Sequence, residues 1–235
     1  MKKLTTPLVF NPLIHPGIVW KNDAPLLHDD MVALMMLGIG FAPISALALS
    51  LMGILTLPVA SLILVIPALA IAIGLSSYHY GYGRLMLHGF LMGIIAVTCY
   101  DCVRIPFIML GWMDDFIPKI GIMLVGDDNH HVSVGYLWRY LGNGGGMGMA
   151  FVTAYALLSH RFLVLRLLGG MKCALLFGLI VWACLIITLK ISPQGEDLMF
   201  VITPTSLLLS LIGHLVFGFT LGCLVNRFRP EGMGK

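Results

Sequence analysis

The chain has 235 residues, of which 59% are hydrophobic and only 11% charged, against about 25% charged in an ordinary soluble domain. Such a chain cannot cover a water-facing surface with polar groups, so the bilayer is its expected solvent. The net charge of +3 is small, and no basic stripe is present, which argues against nucleic-acid binding.

Residues 1–30 open with Lys2 and Lys3, but the apolar run that follows is interrupted by Asn11, Pro12, His15 and Pro16. A signal peptide is therefore not expected. Prolines 7, 12, 16 and 25 argue against a regular helix, and the segment reads as a cytoplasmic N-terminal region.

A membrane-spanning helix needs about 20 apolar residues. Six stretches meet or approach this: 31–54, 57–76, 84–112, 134–158, 170–190 and 204–226. The fourth is the least hydrophobic. The expected fold is an all-α polytopic membrane protein, with about six transmembrane helices in one bundle over residues 31–227 and a short tail at 228–235. Cytoplasmic loops are enriched in Lys and Arg. With six spans, Lys2, Lys3, Lys21, Arg84, Arg161, Arg166, Lys172, Arg227, Arg229 and Lys235 share one side, and only Lys119 and Lys190 lie on the other. Both termini are accordingly expected in the cytoplasm of a multi-pass protein of the cell (inner or plasma) membrane. The opposite face is acidic, with Asp114, Asp115, Asp127, Asp128, Glu196 and Asp197.

The third span contains Asp101 and Arg104, which share a helix face at a spacing of three. Pro106 loosens the helix one turn later. Arg139, in the fourth span, lies at comparable depth when 1.5 Å is allowed per residue. Ionisable groups at such depth face the bundle interior or a water-filled cavity. An Arg–Asp–Arg cluster in the outer leaflet is expected, with one positive charge left over for an anion, a lipid phosphate or a partner's carboxylate. Asn143 lies nearby. The bland alternative is a structural pair, with Arg139 reaching the headgroups.

The fourth span also carries Gly142, Gly144, Gly145, Gly146 and Gly148. Small residues let helices approach closely in lipid, so this stretch reads as a helix-contact surface, with a kinked or broken helix as the other use of the same residues. Asn143 is placed to hydrogen-bond across the contact.

Asp127, Asp128, His130 and His131 form a weak metal-ligand candidate. His88 and His214 form a weak haem candidate, because paired histidines on two helices hold b-type haem; their depths differ by roughly 10 Å. The five cysteines, 99, 102, 173, 184 and 223, all fall in spans. Cys99 and Cys102 make a C-x-x-C, but the outer loops hold no second thiol pair to relay electrons.

The first functional expectation is a non-catalytic integral membrane subunit of a larger complex, partnered by lipid and by other membrane proteins. A small transporter or channel using the Asp/Arg cluster is the first alternative. A haem- or metal-binding redox protein is the second. No HExxH, GxSxG or clustered acid motif points to an enzyme, and no cofactor is required.

Overall fold

The computed structural model describes residues 29–78, 80–126, 131–159 and 162–227. Residues 1–28, the 228–235 tail, Asp127, Asp128 and His130 lie outside the described residues. All regular structure among the described residues is helical. In chain order the helices are α1 (Asp29–Leu51), α2 (Leu57–Tyr78), α3 (Tyr80–Met109), α4 (Ile117–Val125), α5 (132–158), α6 (Leu163–Ile191), α7 (Gly195–Leu198) and α8 (Pro204–Arg227). Helices α2 and α5 each contain a stretch of wider π-helical turn, at Ser61–Val65 and Trp138–Gly145.

Among the described residues five helices are long and apolar enough to cross a membrane: α1, α2, α3, α6 and α8. Helix α5 is as long but less apolar, and its position explains why. It packs between α1 and α3, and every residue from Gly144 to Tyr155 is buried. Over that stretch α5 meets protein rather than lipid, and Arg139 one turn earlier is buried too although Leu137 and Leu141 beside it are exposed, so the helix can carry glycines and an arginine that a wholly lipid-facing helix could not. Helices α2 and α6 are the opposite case: they are the least covered by protein and expose Leu62, Ile66, Leu69, Ile73, Leu176, Ile180 and Ile187.

Contacts between helices are made at backbone range. A Cβ on Gly40 of α1 would strike the Gly146 carbonyl and Ala150, and one on Gly178 of α6 would strike the His214 carbonyl of α8. Gly218 and Gly222 of α8 lie equally close to Ala174 and Met171 of α6. Gly169 has φ +74, a left-handed conformation that side chains resist. It separates a short stretch at 163–168 from the long part of α6, which runs on from Gly170.

The short helices gather at one end of the bundle. There Ile117 and Ile120 of α4 are fully buried beside Leu51, Leu57, Leu189 and Phe200. Gly121 and Gly135 let α4 and the start of α5 pack backbone against backbone. The Lys119 ammonium donates to the Asp197 carbonyl at 3.0 Å, and the Ser192 hydroxyl donates to the Leu51 carbonyl. These ties close that end over the polar cluster.

Candidate functional site: a buried carboxylate–guanidinium network

Asp101 and Arg104 sit on α3 and are 1% and 3% exposed; Arg139, on α5, is 6% exposed. Asp101 accepts from Arg104 Nε at 3.0 Å, from Arg139 Nε at 2.9 Å and from Arg139 Nη2 at 2.5 Å. Arg104 then turns its other end outward. Its Nη1 donates to Asp115 Oδ1 at 3.0 Å and its Nη2 to the Tyr136 hydroxyl at 3.2 Å. Tyr136 in turn donates to Asp115 Oδ2 at 3.0 Å. Asp115 also accepts from the backbone N–H of Ile117 at 3.1 Å, which satisfies one of the open donors at the start of α4.

The network is therefore a chain, Asp115–Arg104–Asp101–Arg139, with alternating signs. The positive charge left over in the expected Arg–Asp–Arg cluster is neutralised by Asp115. Position alone groups that residue with the acidic outer loop, but the short segment after α3 folds back and delivers it to Arg104. Ring faces complete the setting: the Arg139 guanidinium carbon lies 4.5 Å from the centre of the Tyr100 ring, and that of Arg104 lies 5.4 Å from Phe116, within the range of cation–π attraction. Replacing Tyr136 by phenylalanine should lower stability by about 1 kcal/mol, the usual worth of a hydrogen bond, read as a shift in thermal unfolding in mild detergent.

The wider turn of α5 brings Arg139 to this place. Facing α3, the contacts descend Asp101, Val97, Gly93, Gly89, in steps of four. On α5 they ascend Arg139, Gly144, Gly148, in a step of five and then of four. In an ordinary α-helix a step of five turns a residue about 140° away. The π-helical stretch Trp138–Gly145, with its i→i+5 bonding, restores the common face. Arg139 thus meets Asp101 while Gly144 and Gly148 still pack on Val97, Gly93 and Gly89.

All five glycines of the run face helices of the same chain. Gly142 meets Pro43, Gly144 meets Val97, Gly145 meets the Phe90 ring, Gly146 meets Gly40, and Gly148 meets Gly93 and Gly89. The helix is continuous through them, with right-handed α angles at Gly145 and Gly146. Asn143 Oδ1 is buried and has no hydrogen-bond partner among the described residues, so that oxygen takes no part in the network.

The two membrane histidines lie apart. His214 makes a T-shaped contact with Tyr100 at 5.3 Å between ring centres. Tyr100 is twelve residues further along α3 than His88, which amounts to roughly 18 Å, so the pair cannot ligate one haem. Each ring uses Nδ1 locally, His88 toward the Arg84 carbonyl at 2.7 Å and His214 toward the Ser210 carbonyl at 2.8 Å. Of the metal-ligand candidates only His131 is described, and it caps the start of α5, where its carbonyl accepts from the Gly135 N–H at 3.0 Å. Among the described residues no three His, Cys, Asp or Glu side chains gather as a metal site would require. Cys99 and Cys102 are free thiols, with Cys102 exposed, and Cys173 is buried. An apolar maleimide should accordingly label Cys102 in detergent-solubilised protein well before Cys173, as peptide mass mapping would show.

Comparisons with protein-family models, with curated proteins and with solved structures returned no match.

Proposed function

We propose that the chain is a non-catalytic subunit of a larger membrane complex, spanning the cell membrane six times with both termini in the cytoplasm. The observation that carries this reading is how the interior uses its polar groups. The Asp101, Arg104, Arg139 and Asp115 charges are bonded to one another, and the glycine run packs against the chain's own helices. Such an interior acts as a rigid block. Recognition is left to the periphery, where Met109, Leu110 and Trp112 stand exposed at the end of α3, beside the end closed by α4. On this reading α5 is the fourth of six spans, and the α4 end faces outward, as the distribution of Lys and Arg suggests.

The test is a blue-native gel of tagged protein extracted from its own host in mild detergent. Migration within a large assembly is the expected result, and mass spectrometry of that band would identify the partners. Migration as a lone small particle would remove the subunit reading.

A transport reading draws on a different observation. Polar groups continue sideways from the network at comparable depth, through Tyr100 and His214 to Ser210, whose hydroxyl accepts from Trp182 Nε1 at 3.0 Å. Purified protein in liposomes should then move protons down an imposed pH gradient, and an inert preparation would sink that alternative.

A further inference from the structure

Helix α5 differs from the other five long helices in what holds it in the membrane. The others are apolar enough to cross by composition; α5 is not among them. It brings Arg139 and Asn143 into the bilayer together with five glycines, each of which weakens its preference for lipid or for helix. The partners of its arginine and of its glycines lie on earlier helices of the same chain, while Phe177 of α6 and Phe217 of α8 complete the cover of its later turns. Arg139 bonds to Asp101 of α3 at 2.9 Å. Gly144 and Gly148 seat on the Val97–Gly93–Gly89 face of α3, and Gly146 seats on Gly40 of α1. Residues 144–155 are covered on every side.

We infer that α5 is inserted as a dependent span: Asp101 and the glycine face of α3 draw it into the membrane, and the Asp101–Arg139 pair thereby fixes the topology of α6 and α8. The inference rests on the six-span reading above. Its physical content is a competition. Left unpaired, Arg139 favours water, and α5 stays outside the bilayer. Helix α6 would then enter inverted, with Arg166 and Lys172 at its start on the wrong side. Paired with Asp101, the guanidinium is neutralised at the moment of entry, and the glycine contact holds the helix by packing. The pair thus serves as a topological determinant, beyond any contribution to the stability of the finished fold.

The test maps topology in the full-length chain. In a cysteine-free background, Gln194→Cys places one thiol on an exposed position between α6 and α8. A membrane-impermeant maleimide applied to intact cells, with brief metabolic labelling so that new chains are read before turnover, should modify it in nearly all wild-type molecules. A C-terminal tag should be reached only after lysis. With Asp101→Leu, labelling from outside should fall by at least half. Adding Arg139→Leu should restore it, because the second change removes the charge that needed a partner and makes α5 more apolar. Arg139→Leu alone should label like wild type, since Asp101 keeps Arg104.

An Asp101→Leu chain that labels like wild type overturns the inference, as does a double variant that stays unlabelled. If wild-type Gln194→Cys is itself unreachable from outside, the six-span reading falls and the inference with it. A blue-native gel that shows a lone particle, by contrast, would remove the subunit reading and leave this topology result standing.

Discussion

Asp101→Leu is expected to destabilise the folded protein by about 3–5 kcal/mol, the usual cost of removing one partner from a buried ion pair. The reason is specific to the wiring. Arg139 is 6% exposed, and the carboxylate it bonds is that of Asp101. Remove it, and a guanidinium is left buried against the Tyr100 ring with no anion. Arg139→Leu should cost clearly less, about 1–2 kcal/mol by comparison with a charged hydrogen bond, because Asp101 retains Arg104 at 3.0 Å. The double variant should recover most of the loss, since an apolar pair of similar volume replaces a buried ion pair with little penalty. Reversible unfolding in mixed micelles would yield the three values and the coupling energy between the sites. Equal losses for the two single variants would show that the wiring is not the one described, and that Arg104 does not hold Asp101 in place.

How much of this is readable in the sequence depends on the residue. The Asp101–Arg104 spacing and the depth of Arg139 are local quantities, fixed by helix rise and by where each span ends, and they bring three members of the network together from the sequence alone. Asp115 is different. It sits in a short polar loop, and nothing in its neighbours says that the loop folds back under α4 to reach Arg104; that is a tertiary fact. The π-helical turn at Trp138–Gly145 is also silent in composition. Read as ordinary α-helix, the stretch would put Arg139 and Gly144 on different faces, so a common surface for charge and glycine is not apparent from spacing. The glycines do announce close contact, but small residues indicate only that a backbone approaches, not whose. Here the approaching backbones are those of α1 and α3. The low hydropathy of α5 is the mirror case: it weakens the reading of a span from sequence, and the structure explains it by enclosure within the bundle.

Glycine substitutions along α5 should therefore separate by what each new side chain meets. A Cβ on Gly148 would lie within 2.5 Å of the Gly89 carbonyl oxygen and of the Gly93 nitrogen, both backbone atoms of α3. Backbone cannot rotate aside, so the two helices must separate and lose the contacts above and below. Gly148→Ala should cost about 3 kcal/mol, the upper end of ordinary overpacking, and Gly148→Leu should abolish the folded bundle. At Gly145 the obstacle is the Phe90 ring, a side chain with its own rotamers. Phe90 is only partly buried, so Gly145→Ala should cost roughly 1 kcal/mol as the ring swings away. At Gly38 of α1 a methyl group would have nothing within 4 Å, and alanine there should be neutral or gain a few tenths of a kcal/mol from the better helix former. Thermal unfolding of the four variants in one detergent tests the order Gly148→Leu, Gly148→Ala, Gly145→Ala, Gly38→Ala. If Gly148→Ala melted like wild type, α3 and α5 would not touch at backbone range. The enclosure of a weakly hydrophobic helix at the centre of this bundle would then need another explanation.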